Sequence, residues 1–167
     1  MIGMQHIGEK FRENKIFVPD VLISAKAMKA AMELLKPYFQ SGKVKHKGSI
    51  VLGTVTGDLH DIGKNIVSMV IEGGGWKVID LGVDTSADKF INAINEFQPN
   101  AVGLSALLTT TMQNMETITH KIKEVHPEVK VLVGGAPLTN EFANRIGADI
   151  YSPDPQGALE YLNSMVA

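Results

Sequence analysis

Two textures of hydrophobic patterning divide the chain. Before residue 45 the apolar positions recur only at helical spacing. IGEKFREN predicts a short helical piece. VPDVLISAKAMKAAMELLKPYF predicts a longer one, with Pro19 in its first turn, where a missing N–H has no helical partner to lose. Val21, Ala25, Met28, Met32 and Leu35 follow at steps of four and three, the stripe of a single helical face. Methionines on such a stripe ordinarily pack inward. Pro37 and then Ser41–Lys43 predict the end of this helix, because proline removes a donor that a continuing helix needs.

From Ser49 the pattern alternates between short apolar runs and helical periodicity. Strands are predicted at 49–55 (SIVLGTV), 76–82 (WKVIDLG), 101–107 (AVGLSAL), 129–136 (VKVLVGGA) and 148–152 (ADIYS). Helices fall between and after them. The first spans 63–75 and is stopped by three glycines. The second starts at a capping-box pattern, Thr85-Ser86-Ala87-Asp88, and runs to Phe97 before Pro99. Others cover 111–125, Thr139 to Ile146, and the PQGALEYLNSMV segment. Strands alternating with helices predict an α/β protein: a five-stranded, doubly wound parallel sheet of flavodoxin- or Rossmann-like type with helices on both faces. The unbroken run Ile50-Val51-Leu52 suits a strand covered on both sides. The common order for such a sheet is 2-1-3-4-5, with its ligand crevice at the switch point between strands 1 and 3. Residues 1–45 then form a partial helical cap before a sheet domain at 46–167.

This topology gathers the unusual residues. TGDLHDIGKN follows strand 1 at the switch point, and SALLTTT (105–111) follows strand 3 across the crevice. Gly134, Gly135, Ala136 and Pro137 follow strand 4, and Tyr151 to Asp154 follow strand 5. These four loops are contiguous along one sheet edge, whereas the loop after strand 2 (83–86) is expected to lie apart. Each piece also has a plain reading. Asp61 can serve as the N-cap of the helix at Gly63. His60 can be a surface residue, Ser105 small because its strand end is crowded, and the glycine pair ordinary punctuation.

Composition narrows the chemistry. With no cysteine, thiolate zinc sites, iron–sulfur clusters and disulfides are excluded. A formal net charge of -2 and no basic helical face argue against a nucleic-acid binder. The apolar fraction of 44% suffices for a core, yet no run reaches membrane-spanning length and the N-terminus lacks a secretory pattern. The expected location is the cytoplasm. A serine nucleophile would want a G-x-S-x-G elbow, which is missing. Zinc would want more nitrogen or sulfur ligands than His60 alone. A single histidine backed by Asp58, two residues earlier, does suit a metal that a macrocycle already holds by four equatorial nitrogens.

Asp58-x-His60-x-x-Gly63, then Ser105-x-Leu107, then Gly134-Gly135 resembles the cobalamin-binding motif of methyltransferase-associated corrinoid proteins. These include the B12-binding domain of methionine synthase and the corrinoid subunits of methanol, methylamine and O-demethylase systems. The blocks are separated by 41 residues (64–104) and 26 residues (108–133), and the resemblance covers 49–167. It implies cobalamin, or a related corrinoid, bound base-off and His-on. His60 would be the lower axial ligand of cobalt, and Asp58 would hydrogen-bond its other nitrogen. Thr111 stands where the family places a serine hydroxyl that continues this relay. Leu59, Asp61, Ile62 and Gly63 belong to the same cofactor-binding block. Ser105, Leu107, Thr109, Gly134, Gly135 and Ala136 would line the channel for the nucleotide tail, and Tyr151 is a further expected cofactor-binding residue. No residue is assigned a catalytic role.

The resemblance further implies a methyl carrier, accepting a methyl group on Co(I) and delivering it from methyl-Co(III). Its partners would be a substrate-specific methyltransferase, an acceptor methyltransferase using tetrahydrofolate or a thiol, and a reductive activase. The alternative is an adenosylcobalamin module of a mutase or a cobalamin-dependent regulator, against which the Met-bearing cap counts. A phosphorylation receiver shares the predicted topology but would want an aspartate where Ser105 stands. Methyl carriers precede the sheet with a four-helix cap, whereas the 45 residues here suffice for about two helices. That predicts a truncated cap, a homodimer formed through the cap, or a more open upper face.

Overall fold

A computed structural model describes residues 2–40 and 45–166, with the side chains of residues 2, 5, 29, 35, 36, 39 and 40 not included. Helix α1 (Ile2–Arg12) and helix α2 (Val18–Gln40) come first. Strand β1 (Ser49–Thr54) leads through helix α3 (Ile62–Gly73) to β2 (Lys77–Asp80), and helix α4 (Ala87–Phe97) leads to β3 (Ala101–Ser105). A 3-10 turn (Thr109–Thr111) opens α5 (Met112–Val125), followed by β4 (Lys130–Gly134), α6 (Asn140–Arg145), β5 (Ile150–Tyr151) and α7 (Pro155–Ser164). The sheet is parallel, five-stranded and ordered β2-β1-β3-β4-β5, with flanking helices.

The chain divides into two compact units that interleave along the sequence. One holds 1–48, 65–77 and 154–167, and the other 49–64 and 78–153. In the second unit, alternate residues of the central strands (Val51, Val102, Leu104, Val131 and Val133) pack with Phe90 and Ile94 of α4, Met115, Ile118 and Ile122 of α5, and Phe142 of α6. Phe90 fills the space that a side chain at Gly53 would occupy.

In the first unit small residues set the helix spacing. A Cβ at Gly73 in α3 would meet Met4 of α1 and Met28 of α2 at 3.1 and 3.2 Å. At Gly8, α1 runs so close to α7 that a Cβ would collide with the Gln156 side chain. Arg12 then clasps α7, donating to both oxygens of Asp154 (3.0 and 3.2 Å) and to Glu160 at 3.2 Å. Asp154 itself accepts from Gly157 N–H as the α7 N-cap. Among the described residues no helix is long and apolar enough to cross a membrane.

Several local expectations change. Pro37 lies inside α2, which continues to Gln40; proline gives up its own bond to the residue four before it and crowds that carbonyl, a local cost that need not terminate the helix. The Ser41–Lys43 stop lies outside the described residues. On the predicted stripe Val21 and Ala25 are buried and Met28 and Met32 half-buried, while the Leu35 side chain is outside the description. The capping box reduces to a single cap: Ser86 accepts from Lys89 N–H, and lysine at that third position has no acceptor to return. Strand β5 keeps only two residues.

Candidate functional site

The polar end of β1 builds the site. Thr54 breaks the apolar run at the strand's last position and is fully buried, and its hydroxyl donates to the His60 carbonyl at 3.1 Å. Between them the chain turns through Gly57 at φ +81°, a left-handed conformation that glycine adopts without strain. The turn delivers Asp58 inward and His60 outward. The Asp58 side chain is 0% exposed, whereas that of His60 is 51% exposed.

Donors surround the Asp58 carboxylate. Oδ1 accepts the His60 backbone N–H at 3.0 Å and lies 2.8 Å from the ring Nδ1. Oδ2 accepts the backbone N–H of Leu107 at 2.7 Å and that of Leu108 at 3.3 Å. The Thr111 hydroxyl lies 2.8 Å from both Oδ2 and the Leu108 carbonyl. Burial alone would push the Asp58 carboxyl up. The N–H groups of Leu107 and His60, the imidazole and the Thr111 hydroxyl outweigh it and hold the group well below the usual carboxylate range. An ionised acceptor 2.8 Å from Nδ1 calls for the proton on Nδ1, so in the neutral ring Nε2 is the nitrogen that carries the lone pair.

The other expected residues divide into two groups. Ser105 ends β3 in register with Thr54 and Gly134, and its carbonyl accepts from Val55 N–H at 3.0 Å. Leu107 contributes to the Asp58 cage through its backbone while its side chain is exposed, and Thr109 is exposed at the start of the 3-10 turn. Gly134, Gly135 and Ala136 follow β4. Gly135 has φ +142°, and a Cβ there would collide with the Ala106 carbonyl, so only glycine fits. Leu59 and Ile62 are exposed apolar side chains (both 71%) beside His60, and Gly63 has open space around it. Asp61 occupies the position before α3, which starts at Ile62, one residue earlier than expected. Tyr151 makes no contact with the Asp58 carboxylate; in β5 it packs partly against the core.

One expectation is overturned. The loop after strand 2 does not lie apart, because β2 is the immediate neighbour of β1. The Asp84 carboxylate accepts Gly57 N–H at 2.8 Å, Asp84 N–H donates to the Asp58 carbonyl at 3.1 Å, and the Thr56 hydroxyl donates to the Thr85 carbonyl at 3.1 Å. From the other side Asn114 Nδ2 donates to the Thr56 carbonyl at 2.8 Å. Thr54, Asp84, Asn114 and Leu108 went unnoticed in the sequence. Only Thr54, a polar residue ending an apolar run, carried a visible signal.

The donor set fits a metal that brings its own equatorial ligands. Among the described residues no three His, Cys, Asp or Glu side chains gather to hold a bare ion. His60 instead offers one oriented nitrogen, set among exposed apolar side chains and glycines that leave room for a broad, flat ligand.

Comparison with known proteins agrees. A family model described as a B12 binding domain matches residues 48–160, and a second of the same description matches 1–36. Trimethylamine corrinoid protein 2 of Methanosarcina mazei is 42% identical over 161 residues, covering 94% of this chain and 74% of that protein. A cobalamin-binding protein from Desulfitobacterium hafniense superposes with a TM-score of 0.85 at 34% identity, over 98% of this chain and 78% of that one. The methanol:cobalamin methyltransferase complex of Methanosarcina barkeri gives a TM-score of 0.85 at 30% identity, over 99% of this chain and 64% of the matched chain. With the family motif, the sheet order and these likenesses in agreement, the chain belongs to the B12-binding domain family, among the methyltransferase-associated corrinoid proteins.

Proposed function

We propose that this chain carries a methyl group on bound cobalamin or a related corrinoid, taking it from one methyltransferase and delivering it to another. The observation that carries the reading is a half-exposed imidazole whose Nδ1 is committed to a sealed carboxylate, leaving Nε2 for cobalt. When bound, the corrinoid supplies the cobalt centre that gains and loses the methyl group. His60 would hold the cobalt, Asp58 would fix the tautomer and orientation of its ring, and Thr111 would hold Asp58. Ser105, Leu107, Thr109, Gly134, Gly135 and Ala136 would line the tail channel, and Tyr151 would be a further cofactor-binding residue. Leu59, Asp61, Ile62 and Gly63 border the corrin. Residues 1–45 act as the cap and 46–167 as the cofactor domain.

On this reading the chain is a cytoplasmic carrier subunit with no catalysis of its own. Its partners are a substrate-specific methyltransferase, an acceptor methyltransferase acting on tetrahydrofolate or a thiol, and a reductive activase. The trimethylamine corrinoid relative and the methanol:cobalamin complex support the first partner. Incubated with hydroxocobalamin and desalted, the wild type is expected to retain about one corrinoid per chain. After chemical reduction it should take up an equivalent of radiolabelled methyl from methyl iodide. Loss of the corrinoid on desalting would sink the reading.

The cap supports a homodimer as well. Opposite its buried stripe, α2 carries a second apolar row, Ile23, Ala27, Ala30, Leu34 and Tyr38, all exposed. In an antiparallel α2–α2 pair centred between Ala30 and Ala31, Ile23 faces Tyr38, Ala27 faces Leu34, and the alanines permit close approach. Lys26 and Glu33 on one flank then stand near Glu33 and Lys26 of the second copy. Sedimentation should give a dimer that Leu34→Glu converts to monomer; a monomeric wild type at tens of micromolar would refute the pairing.

A further inference from the structure

Asp84 stands out for its backbone and for what it holds. It is one of three described non-glycine residues with positive φ, at +49°. Aspartate and asparagine tolerate this conformation better than other side-chain-bearing residues, but glycine would occupy it with less strain. The side chain that makes glycine unsuitable here accepts the Gly57 N–H at 2.8 Å, while the Asp84 N–H donates to the Asp58 carbonyl at 3.1 Å. A single residue thus grips one peptide group before Asp58, through the Gly57 N–H, and the one after it, through the Asp58 carbonyl, from a loop that contains no part of the family motif. The anchor is firm. Thr85 pairs with Val55 in a parallel bridge, its N–H donates to the Thr54 carbonyl at 2.9 Å, and Asp80 at the end of β2 chelates the buried Lys64 at 2.6 and 2.7 Å. Backbone strain maintained by so many contacts marks a position where geometry is held for a purpose.

We propose that Asp84 is a positioning residue for cobalt ligation: by clamping Gly57 and Asp58 it sets the direction of the Asp58 carboxylate and, through it, of the His60 ring. The inference rests on the carrier reading, in which His60 binds cobalt. A small rotation at Gly57 would swing Oδ1 away from His60 Nδ1, and Nε2 would follow. Outer partners of this kind typically change metal affinity by about 10- to 100-fold.

Three substitutions separate side chain from backbone. Asp84→Asn keeps an acceptor and tolerates positive φ. Asp84→Gly keeps the backbone conformation and loses the acceptor. Asp84→Ala loses both. In the apo protein, exchange of the Gly57 amide should accelerate in the glycine and alanine variants and stay slow in the asparagine variant. In hydroxocobalamin titrations, the glycine and alanine variants should bind about tenfold more weakly. Their absorption spectra should move toward that of His60→Ala, and Asp84→Asn should restore the wild-type spectrum. Wild-type affinity and spectrum in Asp84→Gly would overturn the inference, as would equal damage in all three variants. A wild-type spectrum insensitive to His60→Ala would instead overturn the carrier reading, and this inference with it.

Discussion

Asp58→Ala is expected to lower the unfolding free energy by roughly 3 kcal/mol, because the His60 and Leu107 N–H groups lose a charged acceptor in a sealed place. Thr111 is spared, since its hydroxyl can turn wholly to the Leu108 carbonyl. Asp58→Asn should fall between, as its amide offers one acceptor to a cage of donors. The effect depends on pH. The Asp58 carboxyl is held below its ordinary value in the folded protein, so the unfolded chain binds its proton first as acid is added. The stabilisation is complete above the unfolded value of about 4 and is lost as pH falls through the folded one. Urea unfolding of both proteins between pH 3 and 7 checks this. The gap between wild type and Asp58→Ala should be full near neutrality and narrow below pH 4. A gap under 1 kcal/mol at pH 7, or one that widens in acid, would mean that the cage does not stabilise an ionised carboxylate.

His60→Ala should show the opposite profile. The ring is half exposed and the residue's backbone bonds to Asp58 and Thr54 survive the change, so unfolding stability should stay within about 0.5 kcal/mol of wild type. Corrinoid binding should suffer instead, with retention of hydroxocobalamin down at least about tenfold and the spectrum of any bound fraction lacking an imidazole ligand. Urea melts and a cobalamin titration on the same preparations read both quantities. Comparison with Asp58→Ala is informative, because that variant should lose both stability and ligation. A His60→Ala protein with the wild-type spectrum would remove His60 from the cobalt.

The sheet was legible because each strand is a short apolar run bounded by glycine, proline or a cap, and parallel alternation leaves few orders to choose from. Ile50–Leu52 and Val131–Val133 could hardly be read otherwise. The Asp58–His60 pair was legible for another reason: both partners lie within three residues on one turn. What escaped was contact between residues distant in sequence that depends on backbone groups. Nothing in LLTTT marks the N–H of Leu108 as a donor to a residue fifty positions earlier. Nothing in GVDTS tells that Asp84 will reach back to Gly57, and placing that loop apart overlooked that β2 borders β1. Pro37 misled because proline costs a helix one bond and some crowding in the turn before it, a local penalty that need not end the helix.

The interleaving of the two units bears on how this protein can be recombined. The chain passes from one unit to the other four times, at 48/49, 64/65, 77/78 and 153/154. Helices α3 and α7 therefore belong with α1 and α2, although the sequence sets them inside the sheet-forming stretch. A cap grafted from a relative onto residues 46–167 would meet Gly73, Gln156, Asp154 and Glu160, the surfaces now fitted to Met4, Met28, Gly8 and Arg12. The exchangeable module is not an N-terminal block but a discontinuous one, so productive chimeras must transfer α3 and α7 along with the cap.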